Sequence, residues 1–189
     1  NGAILIDGKD IRDVSRESMI NQMASVLQEP YIFTGTVREN IKYRHEEVTE
    51  QEMMAASQAV GCHDLIMKLP EHYNTMLDER GSNLSLGERQ LISFARALVA
   101  DPKILILDEA TANIDSHTEQ MIQKALSKLL VGRTSIIIAH RLSTIRDADK
   151  IIVLKDGEVV EEGAHQELIG KNGLYKLLHD NNLASLSGM

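Results

Sequence analysis

The chain has 189 residues, 43% of them hydrophobic, enough to bury a sizeable core as one domain or as a domain with a small inserted lobe. A net charge of -8 argues against a nucleic-acid binder, whose phosphate contacts need a basic face. The single cysteine, Cys62, excludes an internal disulfide, and no Cys/His spacing suggests a structural zinc site, which together fit a reducing, cytosolic setting.

Gly2-Ala3-Ile4-Leu5-Ile6-Asp7-Gly8 reads as a short strand ending at a turn glycine, with no capping or leader sequence before it, as in the middle of a domain. Neither the charged nor the apolar region of a signal peptide is present. Ala24 to Leu27 reads as a second strand, ended by Glu29-Pro30 because proline cannot continue the ladder. From Thr36 to about Met67 apolar residues fall at helix spacing (Val37/Ile41, then Met53/Met54/Ser57/Val60), which predicts a compact helical lobe. The polar stretch from Glu71 to Asn83 is the linker candidate.

A long helix fits Glu88 to Ala100, with Leu91, Phe94, Ala95 and Leu98 on one face and Asp101-Pro102 as its stop. Strands and helices then alternate. A strand at Ile104 to Leu107 precedes a helix at Ser116 to Leu130, a strand at Thr134 to Ala139, a short helix near Leu142, a strand at Lys150 to Leu154, and Glu158 to Glu161. Apolar runs with helices between them predict an α/β fold with a mainly parallel sheet covered on both faces. Gly163 to Asp180 reads as two amphipathic helices, and Asn181 to Met189 as a frayed tail. The apolar runs fall far short of the roughly 20 residues a spanning helix needs, so any membrane association is expected through other segments.

Asp108-Glu109 says most about chemistry, because the two acids end an apolar strand, and in open α/β sheets ligands bind at the carboxyl ends of strands. Two adjacent acids there repel unless a cation lies nearby, and Mg2+ takes one or two carboxylates together with substrate phosphates. Asp108 then holds the metal, usually through water, and Glu109 polarises the attacking water. Leu84-Ser85-Leu86-Gly87-Glu88 stands just before a helix, with Ser85 placed as its N-cap and the first N–H groups pointing outward, as an anion site requires.

With its neighbours, this pattern resembles the nucleotide-binding ATPase domain of an ABC transporter. The strand ending at Asp108 resembles a Walker B motif, followed by the catalytic Glu109. Leu84 to Glu88 resembles the family's signature, normally Leu-Ser-Gly-Gly-Gln, and Arg89-Gln90-Leu91 with Ala95-Arg96-Ala97-Leu98 resembles its signature helix. Gln28 resembles the Q-loop glutamine, which contacts the metal and the attacking water and links the site to the helical lobe. Ala112-Asn113-Ile114-Asp115 resembles the D-loop that crosses the dimer interface, and His140 the switch histidine that contacts the γ-phosphate.

The resemblance implies a P-loop NTPase-like core with an inserted α-helical subdomain. Residues 1–34 form the remainder of the core lobe including the Q-loop, and 35–100 the helical subdomain with the signature helix. Residues 101–182 form the core lobe with Walker B, D-loop and switch histidine, and 183–189 a tail. ATP and Mg2+ are implied, held between this domain and a second ABC ATPase domain, identical or not. Asp108 and Gln28 then serve as metal ligands, and Glu109, His140 and Gln28 as the catalytic set. Ser85, Leu86, Gly87, Glu88 and Asp115 bind nucleotide.

Two departures stand out. No G-x-x-x-x-G-K-[ST] occurs, so the loop that cradles the β- and γ-phosphates is missing; the simplest account is that Asn1 is a truncation point, and the fragment is expected to be inactive by itself. In the signature, Leu86 replaces the first glycine and Glu88 the final glutamine, restricting backbone approach and adding a repulsive carboxylate. Such an off-consensus signature beside an intact catalytic glutamate suggests a heterodimer with one degenerate site.

Phe33-Thr34-Gly35-Thr36-Val37-Arg38-Glu39-Asn40-Ile41 and Leu77-Asp78-Glu79-Arg80-Gly81 resemble exporter patterns, the second a loop that touches the coupling helices of the membrane domain. The expected partner is therefore an exporter's transmembrane domain on the same polypeptide, at the cytoplasmic face of the membrane. The rival is a non-catalytic ABC-like dimerisation or regulatory module, which has no need of Glu109 with His140. A soluble ABC ATPase of DNA repair or translation carries long insertions absent here.

Overall fold

The computed structural model describes residues 2–109, 116–139 and 142–187, the side chains of 109, 116, 142, 143 and 182–187 excepted. The chain divides into two units, Asn1–Ile138 and Ala139–Met189.

The first unit opens on a hairpin, β1 (Leu5–Ile6) with β2 (Lys9–Asp10), where a single strand is expected. Asp7 and Gly8 turn the chain with φ of 49° and 76°. Helix α1 (Arg16–Ile20) leads into β3 (Met23–Val26). A short strand β4 (Gly35–Thr36) precedes three helices, α2 (Val37–Lys42), α3 (Glu50–Ala59) and α4 (His63–Ile66), and pairs with β5 (Met76–Leu77). The long helix α5 (Leu86–Val99) follows, then β6 (Ile104–Glu109), α6 (Ser116–Leu130) and β7 (Thr134–Ala139).

Strands β3, β6 and β7 form one sheet in that order. β3 and β6 run parallel, with Met23 opposite Ile104 and Val26 opposite Leu107. The Thr134 N–H donates to Lys103 O at 3.0 Å, which sets the starts of β6 and β7 side by side, as the crossover through α6 requires.

Three helices of this unit begin with the same reciprocal device. The hydroxyls of Thr36, Thr49 and Ser85 accept the N–H of Glu39, Glu52 and Glu88, whose carboxylates accept the threonine and serine N–H at 2.7, 2.8 and 2.7 Å. Each box satisfies two N–H groups that a helix start otherwise leaves open.

α5 is the shared wall of the core. Leu91, Ile92, Phe94 and Ala95 are all buried in it, and the helix packs on α2, α3 and α6. One apolar cluster therefore runs from Met53 and Ile66 in the helical segment to Leu105 and Leu107 in the sheet.

The stretch from Glu71 to Asn83 is built into this unit, contrary to its expectation as a linker. A tight helical turn at His72–Asn74 buries Tyr73, Leu77 is buried in β5, and Asn83 both accepts the Asp78 N–H (3.3 Å) and donates to Met76 O (3.1 Å). Its polar side chains satisfy its own backbone, which explains a composition that otherwise looks solvated.

The second unit holds α7 (Leu142–Ile145), β8 (Ile151–Lys155), β9 (Glu158–Gly163), α8 (His165–Gly170) and α9 (Leu174–Ser187). β8 and β9 pair antiparallel, in a fold whose sheet is expected to be mainly, not wholly, parallel. The reason is local: Asp156 and Gly157, at φ of 53° and 84°, make a two-residue turn that joins only antiparallel neighbours. Ile151, Val153, Leu168 and Tyr175 form this unit's core. Glu161 on β9 accepts the N–H groups of Leu174 and Tyr175 at 2.7 and 3.0 Å, capping α9, which continues to Ser187 through residues expected to fray. Among the described residues no helix is long and apolar enough to cross a membrane.

Candidate functional site

The parallel register gathers the candidate residues. β3 ends at Val26, opposite Leu107, so Gln28, exposed in the segment just past β3, lies at the same sheet end as Asp108 and Glu109, the last residues of β6. Leu105 and Leu107 anchor β6 in the core while Asp108 is half-buried. The alternation presents the acid at the edge of the core, where water or a ligand can reach it. β7 lies next to β6 and ends at Ala139. The expected switch residue His140 and the D-loop residues 112–115, Asp115 included, lie outside the described residues, as does the side chain of Glu109.

The signature lies at the start of α5. Ser85 is exposed and caps the helix through its hydroxyl, which accepts the Glu88 N–H at 3.3 Å. The Glu88 carboxylate is engaged in return by the Ser85 N–H, so the residue that departs from the family pattern is held in the capping box. Leu86 is half-buried. Gly87 is buried, and a Cβ there collides with Cγ2 of Thr118 in the first turn of α6. The glycine therefore permits close approach of α5 and α6, a packing reason distinct from contact with phosphate. Arg89 donates to Leu84 O at 2.6 Å and fixes the turn that enters the helix.

Sequence reasoning named Arg96 and Asn40 only as members of family patterns and gave them no role. Arg96 Nε and Nη2 donate to Asn40 O (2.7 Å) and Asn40 Oδ1 (3.0 Å), and Nη1 donates to Tyr31 O (2.9 Å). Asn40, 1% exposed, accepts the Phe33 N–H at 2.9 Å and donates to Phe33 O and Thr36 O at 2.8 and 3.1 Å. The one available signal was a charged residue on a helix otherwise rich in apolar positions. Burial pulls the Arg96 pKa down to about 10, still charged at neutral pH. A groove of about 610 Å³ opens beside this cluster, lined among others by Leu27, Pro30, Tyr31, Phe33 and Tyr43.

Among the described residues no group of three or more His, Cys, Asp or Glu side chains is arranged to hold a metal ion. The oxygen donors of Asp108 and Gln28 at adjacent strand ends suit Mg2+ instead, which takes few protein ligands and completes its shell with phosphates and water.

The family model described as ABC transporter matches residues 1–112. The chain belongs to the ABC transporter family. It is 57% identical over 174 residues to the uncharacterized ABC transporter ATP-binding protein YknV of Bacillus subtilis, covering 92% of this chain and 29% of that protein. It is 53% identical to the probable multidrug resistance ABC transporter ATP-binding/permease protein YheH of the same organism, over 95% of this chain and 27% of that one. A solved bacterial Atm1-family ABC exporter with ATP bound superposes with a TM-score of 0.87 at 41% identity, covering 96% of this chain and 32% of its own. The chain thus spans under a third of the length of these relatives, in the region of the exporter-type ATP-binding domain. This ABC fold accounts for the α/β core and for the helical segment between Gln28 and the signature.

Proposed function

We propose that this domain binds and hydrolyses ATP at an interface with a second ABC ATPase domain, and that it drives an exporter from the cytoplasmic face of the membrane. One observation carries the reading: the β3–β6 register brings the segment holding Gln28 and the Asp108–Glu109 end of β6 to the same end of the sheet. Mg2+, when bound, would supply neutralisation of phosphate charge. Asp108 and Gln28 orient the metal end of the site. Glu109 takes up a proton from the attacking water, and His140 steadies the γ-phosphate. Ser85 and the first turn of α5 face the nucleotide held mainly by the partner domain, and Asp115 lies at that interface. Phosphoryl transfer of this kind depends on positioning and charge stabilisation, so closing two domains on the nucleotide assembles the catalyst.

We assign residues 1–34 and 101–182 to a core lobe and 35–100 to a helical lobe; the helices α2 to α5 support the helical assignment. The groove flanked by Tyr31, Phe33 and Tyr43, three partly exposed aromatics, together with the loop Leu77 to Gly81, is the surface we assign to the transmembrane partner. The chain by itself has no G-x-x-x-x-G-K-[ST] sequence and is expected to turn over ATP negligibly.

The test is ATPase activity of a polypeptide that also carries the phosphate-cradling loop and membrane domain, compared with its Glu109→Gln variant. Loss of a positioned base lowers turnover by about 10²- to 10⁴-fold. Equal turnover in the two removes Glu109 from the mechanism and favours a non-catalytic dimerisation module.

A further inference from the structure

Between β3 and β4, residues 27–34 adopt no regular secondary structure, so their path is set by tertiary contacts alone. Ile32 is fully buried and serves as one anchor. The other is Arg96, about three turns along α5 from Ser85. Its guanidinium reaches Tyr31 O, three residues beyond Gln28, while its other bonds fall on Asn40, which in turn holds both polar backbone groups of Phe33. The rings of Phe33 and Tyr43 stack at 4.7 Å, and the Arg96 guanidinium carbon lies 5.2 and 5.4 Å from their centroids.

All the acceptors are carbonyl or amide oxygens and the remaining contacts are aromatic faces. Burying a guanidinium costs free energy that a hydrocarbon side chain avoids, and ring faces and well-aimed hydrogen bonds offset only part of it. A methionine fills the same space at lower cost, so bulk packing does not explain an arginine here. Its planar fork does: one group reaches three acceptors on two separate segments, the exit of the Gln28 loop and the C-terminal half of α2.

We propose that Arg96 is a positioning residue that locks the segment leaving Gln28 to the helix headed by Ser85. The Gln28 side of one nucleotide site and the Ser85 side of the other then move as one body within each domain. This rests on the roles of Gln28 and Ser85 given under Proposed function. A nucleotide engaged at Ser85 thereby biases where Gln28 stands in its own domain's site.

The experiment compares wild type, Arg96→Met, Arg96→Lys and Glu109→Gln in the full-length transporter, measuring nucleotide bound per protein, kcat per bound nucleotide and KM for ATP. Misplacing Gln28 is expected to lower kcat per bound nucleotide in Arg96→Met by about 10- to 100-fold, with KM changed by less than about threefold. Arg96→Lys, which keeps the charge but cannot span both segments, should lie between the two. If Arg96→Met does not fold, Arg96→Lys carries the comparison by itself. Unchanged kcat per bound nucleotide overturns the proposal, as does a loss of turnover fully matched by lost binding, which is what a merely structural residue gives. If Glu109→Gln keeps full turnover, the functional reading fails, whatever Arg96 does.

Discussion

Replacing Gly87 with alanine sets two known effects against each other. Gly87 lies in the first turn of α5, where alanine is favoured over glycine by up to about 1 kcal/mol. Against this, the new Cβ overlaps Thr118 Cγ2 and comes within 3.5 Å of Thr118 Cβ and 3.9 Å of Ile122 Cδ1. Overpacking of this kind costs about 1–3 kcal/mol. Thr118 is β-branched, so moving its methyl aside means a stiff χ1 rotation or a shift of α6. The upper part of the range therefore applies, and the net loss is about 1–2 kcal/mol, or roughly 2–4 °C of melting temperature per kcal/mol. Thr118→Ser removes the methyl and keeps the hydroxyl, so in the Gly87→Ala background it should restore most of the loss, a coupling of about 1 kcal/mol or more. The sequence has no tryptophan, so the cycle is measured by far-UV circular dichroism in urea, with the denaturant slope checked for constancy. A Gly87→Ala protein as stable as wild type, or a Thr118→Ser change with equal effect in both backgrounds, refutes the packing account.

Three further outcomes follow from two ionisable groups. Burial pushes the Cys62 thiol up to about 12, so iodoacetamide at pH 8 should react only as fast as the protein unfolds, and alkylation of the native state on the timescale of a free thiol would contradict this. Because the folded value lies above the usual one near 9, the protonated thiol's contribution to stability is complete below about pH 9 and fades toward 12; the urea midpoints of wild type and Cys62→Ala should converge over that range. Glu52 is displaced in the other direction, held below its usual 4.5 first by the Thr49 hydroxyl and then by the Thr49 N–H. Its support for α3 is present above about pH 4.5 and disappears as pH falls through the lower folded value. A carbon-detected titration should place its midpoint under 4.5 in wild type and closer to 4.5 in Thr49→Ala; equal midpoints count against the capping box.

The helices and strands that patterning marked most strongly were legible because a breaker stood next to a periodic run: Asp101-Pro102 before β6, and the apolar stripe of α6 between polar ends. Misreadings came from polar residues with local work to do. Asn83 and Tyr73 turned an apparent linker into ordered structure. Within the candidate site, order along the chain sufficed to propose Gln28, Asp108 and the signature, which stand just past β3, near the end of β6 and at the start of α5. Gly87 and Glu88 were legible as positions in a motif, but their local reasons were not, because Thr118 lies far along the chain and a capping box looks the same in any helix start. Arg96 and Asn40 are separated by 56 residues, and no periodicity reports such a bond.

The Arg96 cluster has a consequence for conditions of work. Its bonds end on groups that do not titrate, and its cation stays charged until about pH 10. Acidification that releases the carboxylate-capped helix starts leaves this joint intact, and mobile ions, which weaken exposed charge pairs, find no opposite charge in it to screen. Mild acid or raised salt should therefore loosen the rim of the helical segment before the joint between α5 and the Gln28 loop.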